Sequence, residues 1–185
     1  MATVTFDIEY TAGPRDRLST ALRGLYAIPH LIIIGALGYV AQAVGVIQWF
    51  IILFTGKRNQ SLWNLARGVL DWQARAYTYV GLMYDVYPNF GFEKKDEPVL
   101  FAVEFEESAD RLTNALRLIW AIPALLILLV LAIAGQVVTI ICWFAILFTG
   151  TQPRGMFDFL LKAHRFGVRT NAYTALLTDT YPKYE

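Results

Sequence analysis

Few residues in the sequence have the types and spacing that catalysis or metal binding requires. The two histidines, His30 and His164, are far apart in the chain, and the lone cysteine, Cys142, lies in an apolar run typical of a buried thiol. The sequence contains no recognisable nucleophile, zinc-ligand or nucleotide-binding motif. We therefore predict no catalytic residue, no metal site and no cofactor, and we do not expect an enzyme.

Charged and aromatic residues recur instead at a constant spacing of 94 positions. The recurring pairs are Arg17/Arg111, Arg23/Arg117, Arg75/Arg169, Asp85/Asp179 and Tyr79/Tyr173. Guanidinium groups bind carboxylates and phosphates through paired hydrogen bonds. These residues therefore predict one of two things: an arginine–aspartate pair that pins each repeat together, or a site for anionic lipid headgroups.

A tandem duplication explains this recurrence. The matching segments are residues 16–18 and 110–112, 27–29 and 121–123, 52–56 and 146–150, and 87–88 and 181–182. Such a clear internal repeat defines the organisation of the chain. We assign residues 1–92 to repeat 1 and residues 93–185 to repeat 2, with the same elements in each.

Each repeat contains one long segment without charge. Between Arg23 and Lys57 lie 33 residues, and between Arg117 and Arg154 lie 36, none of them Asp, Glu, Lys or Arg. Roughly 20 apolar residues span a bilayer. With 56% hydrophobic residues, 17% charged residues and a mean hydropathy of +0.43, the composition predicts an integral membrane protein. The net charge of +1 gives no reason to expect a nucleic-acid partner.

The length of the apolar segments predicts two membrane crossings in each. One helix over such a segment would measure roughly 50 Å, against about 30 Å of hydrocarbon. Gly38 and Gln42, and likewise Gly135 and Gln136, favour a polar turn in the middle. The predicted helical arms cover residues 18–37, 40–54, 112–132 and 137–148. A single crossing per repeat, in inverted orientations, is the alternative.

Shorter elements flank each apolar segment. Alternating apolar and polar residues at 6–10 and 101–105 predict a strand at the start of each repeat. The two strands could pair if the hairpins return both to one side of the membrane. After each apolar segment, polar residues every three or four positions predict an amphipathic helix, which lies either in the membrane interface or on the surface of the hairpins. The aromatic residues expected at headgroup level are Trp63, Trp72, Tyr79 and Tyr173.

The combined motifs resemble a known family. RLxxALRxxxAIP and WFxILFTG occur in both repeats, PRGxFDF follows in repeat 2, and a DxYP ending closes each copy. Together they resemble the bacterial membrane-protein family described as domain of unknown function 4389, in two tandem copies. Repeat 1 departs from the pattern because residues 57–60 read KRNQ where residues 151–154 read TQPR. The resemblance implies an integral membrane protein without implying a reaction.

These observations predict an all-α integral membrane protein. Each of its two repeats would hold a transmembrane helical hairpin, an amphipathic interfacial helix and a short β-strand. We expect a non-catalytic accessory or scaffold subunit that associates with a larger membrane complex or with itself. The alternatives are a module that binds membrane lipids, anionic headgroups included, at the cytoplasmic leaflet, and a small oligomeric transporter or channel. We expect the bacterial cytoplasmic membrane as location, a retained N-terminus, and cytoplasmic termini and amphipathic helices, because basic residues flank the apolar segments.

Overall fold

The structure, a computed structural model, describes residues 3–93 and 97–184. Within them each repeat contains one short strand, one helix of 39 residues and one helix of 21 residues. In chain order the elements are β1 (Thr5–Ile8), α1 (Arg17–Thr55), α2 (Gln60–Val80), β2 (Val99–Ala102), α3 (Arg111–Thr149) and α4 (Arg154–Thr174). The predicted tandem, mainly helical organisation is therefore confirmed.

Each apolar segment forms one uninterrupted helix, so the prediction of two arms joined by a polar turn is wrong. Gly38 and Gln42 are helical within α1, and Gly135 and Gln136 are helical within α3. A glycine in a helix interior costs only about 1 kcal/mol relative to alanine, which the surrounding apolar helix formers offset. The two long helices therefore each extend over about 58 Å.

Caps set where the long helices begin and end. Asp16 accepts hydrogen bonds from two backbone N–H groups in the first turn of α1, and Asp110 accepts one from Thr113 in the first turn of α3. Both helices end at a glycine in the left-handed conformation, Gly56 with φ 71° and Gly150 with φ 75°. This conformation is strained for residues with a Cβ atom, so glycine terminates the helix at these positions.

The two long helices are antiparallel and are related by a pseudo-two-fold axis. The indole nitrogen of Trp49 donates to the carbonyl of Asn114 at 2.8 Å, and that of Trp143 donates to the carbonyl of Thr20 at 3.0 Å. Shifting one contact by 94 positions gives the other. The axis must therefore run perpendicular to α1 and α3 and pass between their middles.

The same axis passes through the two-stranded sheet. β1 pairs with β2 in antiparallel fashion, and Phe6 lies opposite Phe101, its counterpart at a spacing of 95 residues, one longer than in the rest of the repeat. Phe6 and Ile8 on β1, and Val99 and Phe101 on β2, are buried on one face, which confirms the alternation predicted from the sequence. The strands end a few residues earlier than predicted. The strand ribbon is thus centred over the middle of the long helices.

The strands meet without any membrane hairpin. After α2 the chain returns along the same helix, so that Phe92 packs at Gly68 and Phe105 packs against Trp63. This return brings β2 beside β1 and then delivers the start of α3 to the far end of α1. The argument that strand pairing requires two crossings per repeat is therefore wrong.

The elements stack in three layers. The outer layer is α1 and α3, the middle layer is α2 and α4, and the third is the strand ribbon. In the part of the chain that the structure describes, the strands contact α2 and α4 but neither long helix. The middle layer forms the core, where Leu70, Phe157 and Leu160 are buried against strand residues such as Phe101. The prediction that the amphipathic helices lie at the surface or in the interface is wrong, because the ribbon covers their second face.

The outer layer exposes a large apolar surface. α1 buries one narrow stripe against α2, formed by Thr20, Arg23, Ala27, His30, Ile34, Gln48 and Ile52. Most of the remaining surface of both long helices is apolar and exposed, as at Leu118 and Phe148, which are 76% and 77% exposed. Soluble monomers rarely expose apolar patches beyond a few hundred Å². Both helices are also long and apolar enough to cross a membrane, which supports association with one.

Candidate functional site

The first ionic cluster, the Asp85 cluster, consists of Arg15, Arg23 and Asp85. Arg23 lies on the buried stripe of α1, Arg15 precedes that helix, and Asp85 follows α2. The Nε atom of Arg15 lies 2.9 Å from one carboxylate oxygen of Asp85, and Nη2 of Arg23 lies 2.6 Å from the other. Both guanidinium groups are almost completely buried, so the carboxylate compensates two charges that water does not reach. Burial lowers the pKa of Arg15, although Asp85 opposes this effect.

The second cluster, the Asp179 cluster, consists of Arg58, Arg117 and Asp179. Arg58 Nη2 lies 2.5 Å from Oδ1 of Asp179, and Arg117 donates to the same oxygen. Arg117 occupies the position in α3 that Arg23 occupies in α1, and Asp179 corresponds to Asp85. Because α1 and α3 are antiparallel, the two clusters lie towards opposite ends of the outer layer.

The second arginine of each cluster comes from a different place in the repeat. Arg15 donates through Nη2 to the carbonyl of Leu82 at 2.8 Å, and Arg58 donates through Nε to the equivalent carbonyl of Leu176 at 3.0 Å. Gln152, the repeat counterpart of Arg58, instead accepts a hydrogen bond from Arg15 at 3.3 Å. The departure of repeat 1 from the family motif at residues 57–60 therefore supplies an arginine to the cluster of repeat 2.

A tyrosine packs against the arginine that each long helix contributes. The guanidinium carbon of Arg23 lies 4.6 Å from the ring centre of Tyr79, and that of Arg117 lies 4.5 Å from the ring centre of Tyr173. Such cation–π contacts strengthen when water is excluded. Burial raises the pKa of Tyr173, so this ring stays neutral beside the arginine. The recurring tyrosines thus belong to the clusters.

The third recurring arginine pair fixes the segment that follows each short helix. Arg75 is buried, forms an ion pair with Glu97 at 2.9 Å and donates to the carbonyl of Asn89 at 3.1 Å. Its counterpart Arg169 donates to the carbonyl of Lys183, also at 3.1 Å. Lys183 lies 94 positions after Asn89, so the two arginines donate to equivalent backbone carbonyls in the two repeats. Among the described contacts, the aspartate after α2 pairs with arginines of the Asp85 cluster, not with Arg75.

Arg17 and Arg111 differ from the other recurring arginines because they are exposed. Each lies over the glycine that ends the long helix of the other repeat. A Cβ atom added at Gly150 would lie 3.2 Å from Nη2 of Arg17, and one added at Gly56 would lie 3.1 Å from Nε of Arg111. A cation stabilises the negative end of a helix dipole. These two arginines therefore link the repeats while remaining accessible.

The four aromatic residues predicted at headgroup level are core residues, so that prediction is wrong. Trp63, Trp72, Tyr79 and Tyr173 are each at most 5% exposed. Trp63 donates its indole N–H to the carbonyl of Leu177, and Trp72 donates to His30. Trp72 and Tyr79 are buried against α1, and Tyr173 is buried against α3, so contacts with the long helices place these rings in the core.

The clusters have the chemistry of structural sites. Backbone carbonyls accept hydrogen bonds from the guanidinium groups of Arg15, Arg23, Arg58 and Arg117, and aspartates form ion pairs with them. A phosphate therefore has no access to these guanidinium groups. In residues 3–93 and 97–184, no group of three or more His, Cys, Asp or Glu side chains is arranged to hold a metal ion. The sequence signal that reveals this site is the recurrence of arginine and aspartate. The contribution of Arg15 and Arg58 has no such signal, because neither recurs.

The family described as Domain of unknown function (DUF4389) matches residues 17–92 and again residues 111–184. The chain belongs to this family. Each DUF4389 copy comprises one long helix, one short helix and the DxYP tail, and contains one arginine–aspartate pair, Arg23 with Asp85 or Arg117 with Asp179. Arg15 lies outside both copies, so the Asp85 cluster is completed by the segment before the first DUF4389 match. No curated protein and no solved structure is detectably similar to the chain.

Proposed function

We propose that the protein is a non-catalytic scaffold that lies on one membrane leaflet, with α1 and α3 embedded and the strand ribbon facing water. The observation that carries this proposal is the order of the layers along the pseudo-two-fold axis. The exposed apolar helices lie at one end of the axis, and the polar ribbon lies at the other. A membrane normal parallel to this axis puts both repeats in the same environment.

The position of the ribbon favours this orientation over a spanning one. The ribbon is centred over the middle of the long helices and carries Asp7, while Glu9 and Glu104 are exposed just beyond the ends of its strands. If α1 and α3 crossed the bilayer, these carboxylates would lie near its midplane. There a charged side chain costs about 2.5–3.5 kcal/mol by the insertion scale. With the long helices lying flat, the same side chains remain in water.

Burial of an apolar helical face to a depth of about 5–10 Å is the usual mode of interfacial attachment. Here two helices of 39 residues provide that face, which is far larger than the face of a single amphipathic helix. Lys57 and Arg111 lie near one end of the layer and Arg17 lies near the other, and all three are exposed. Long basic side chains at such positions extend to the headgroups.

The sidedness of labelling tests the orientation. Single cysteines would replace Lys57, Thr151 and Glu9 in a Cys142→Ala background, in vesicles treated with a membrane-impermeant maleimide. Lys57 and Thr151 mark opposite ends of the outer layer, and Glu9 marks the ribbon. We expect all three to react from one side. Reaction of Lys57→Cys and Thr151→Cys from opposite sides, with Glu9→Cys protected, would show that the helices span the membrane.

The scaffold role is supported by the pseudo-symmetry, because a leaflet-bound chain would present two equivalent surfaces to the water side. Purification in mild detergent followed by mass spectrometry of bound proteins tests this role. We expect a protein partner in a fixed ratio. Recovery of the chain alone, with lipids as its sole companions, would contradict the scaffold function and leave the lipid-binding alternative.

Anionic headgroup binding is a second candidate, and the exposure of Arg17 and Arg111 favours it. We expect Arg17→Gln with Arg111→Gln to weaken binding to vesicles containing phosphatidylglycerol more than binding to phosphatidylcholine vesicles. Each single arginine variant is compared with Lys183→Gln, a substitution on the chain's exposed tail that removes the same charge. If the double substitution changed binding to both vesicle types equally, these arginines would be excluded as a site for anionic headgroups.

A further inference from the structure

A cavity of about 360 Å³ lies between α2, α3 and α4. At equivalent positions the two long helices meet different residues of the middle layer. Ile34 of α1 is buried against Trp72 and Ala76, whereas its counterpart Leu128 in α3 lines the cavity. Small-molecule sites typically occupy roughly 300–1,000 Å³. The volume therefore suits a small ligand, and the second repeat provides most of its wall.

The lining divides into an apolar interior and a polar mouth. The buried apolar residues of the wall include Leu70, Ala74, Leu160 and Ala163. Exposed residues of the wall include Tyr77, Gln136 and Asn171, whose hydroxyl and amide groups both donate and accept hydrogen bonds. The arrangement suits an amphiphile whose chain enters the interior while its head stays at the mouth.

His164 adds a hydrogen-bond acceptor to this wall. Its Nδ1 atom donates to the carbonyl of Leu160 at 2.8 Å, which leaves Nε2 as the nitrogen available to a bound molecule. Burial lowers the pKa of His164 and so favours the neutral ring. Within the described chain, no Asp, Glu, Lys or Arg lines the cavity. An ionised head would therefore lack a counter-charge, whereas a hydroxyl group would find both donors and acceptors.

We propose that this cavity binds the apolar chain of a neutral, hydroxyl-bearing amphiphile, such as a long-chain alcohol or a neutral lipid. The α3 wall of the cavity adjoins an exposed apolar side of the helix, where Leu129 and Ile133 are 57% and 62% exposed. A chain can therefore pass from a surrounding lipid phase into the cavity without crossing water. The inference goes beyond the scaffold proposal, and only the entry route assumes that α3 lies in lipid.

The test uses a hexadecanol that carries a photoreactive diazirine in its chain, added to the full-length protein in lipid nanodiscs. After irradiation, peptide mapping by mass spectrometry should place the adducts within residues 70–81, 128–139 and 160–171. Excess unlabelled hexadecanol should suppress them. Labelling spread over the exposed outer faces of α1 and α3, without suppression, would overturn the proposal, because it would report surrounding lipid instead of a site.

Two variants probe the site directly. At Gly135 a Cβ atom would meet only Leu160 Cδ2, at an ordinary 3.8 Å, so Gly135→Leu fills the cavity from a tolerant position. We expect labelling to fall at least tenfold. Gly35→Leu adds the same side chain in open space on α1 and should leave labelling unchanged. His164→Leu keeps the apolar volume, removes the acceptor and should weaken labelling; Leu70 occupies the equivalent position in repeat 1.

Two further experiments test the nature of the head and the source of the ligand separately. A diazirine fatty acid of the same length should label at least tenfold less than the alcohol, and equal labelling would overturn the neutral-head assignment. Native mass spectrometry of protein extracted from membranes should then distinguish a retained neutral lipid from a free alcohol by mass. Unchanged alcohol labelling in folded Gly135→Leu would overturn the site itself. Photolabelling and native mass spectrometry do not depend on the cysteine-labelling result. The cavity proposal and the proposed membrane orientation can therefore fail independently.

Discussion

Asp179 compensates two buried guanidinium groups, those of Arg58 and Arg117, and its replacement tests the role of the clusters. Asp179→Asn preserves the shape of the side chain but removes the charge. Breaking a buried ion pair by removing one partner costs about 3–5 kcal/mol, because the remaining charge is desolvated without compensation. In a chain of 185 residues, 1 kcal/mol shifts the unfolding midpoint by about 2–4 °C. We therefore expect the midpoint to fall by roughly 6–20 °C, measured by circular dichroism in detergent micelles.

An exposed ion pair provides the matched control. Asp158 lies 3.9 Å from Arg154 on the surface of α4, and exposed pairs contribute only about 0–1 kcal/mol. Asp158→Asn should therefore barely change the midpoint, whereas Asp85→Asn should resemble Asp179→Asn because its cluster has the same architecture. If Asp179→Asn were no more destabilising than Asp158→Asn, carbonyl groups alone would satisfy the buried arginines, and the reasoning from charge compensation would be refuted.

Three further predictions follow from caps and buried groups. Gly150→Ala should lower the free energy of unfolding by about 1–2 kcal/mol in denaturant titration, because φ is 75° and the new methyl group would approach Arg17; no loss would contradict the left-handed cap. Asp110→Ala should be destabilising near neutral pH but not in acid. The hydrogen bond from Thr113 lowers the folded-state pKa of Asp110, so its contribution is present above the unfolded-state pKa of about 3.9 and is lost as the pH falls through the folded-state value. Denaturation of variant and wild type on both sides of that window checks this, and a difference independent of pH would refute it. Burial raises the pKa of both Tyr84 and Tyr173, so absorbance titration should show buried tyrosines still protonated when exposed tyrosines ionise near pH ~10, and Tyr84→Phe should reduce this late step.

Several features of the fold could be predicted from local sequence. The 94-residue recurrence predicts two equivalent repeats, and the family match confirms both copies. The alternation at the start of each repeat predicts strands, and the positions of Asp16 and Asp110 predict where the long helices begin. These features depend on periodicity and on capping between residues a few positions apart. They can therefore be predicted directly from the sequence.

The hairpin prediction failed because it relied on a global assumption. It assigns a turn to any segment too long for a perpendicular crossing, here at a glycine and an amide that the helix tolerates. The prediction of amphipathic helices at the membrane surface relied on polar residues every three or four positions. In the structure those helices are covered on both faces, and Trp63 and Trp72 are buried between layers.

The repeat, the apolar character of the long helices and the residue types that recur follow from the sequence alone. The antiparallel packing of α1 and α3, the position of the ribbon over their middle, and the entry of Arg15 and Arg58 into the two clusters depend on tertiary contacts. Arg58 pairs with Asp179, a residue of the other repeat, and no local pattern encodes this contact. Local patterns reflect interactions between near neighbours in the chain, whereas layer order and the compensation of buried charge arise from contacts between distant segments.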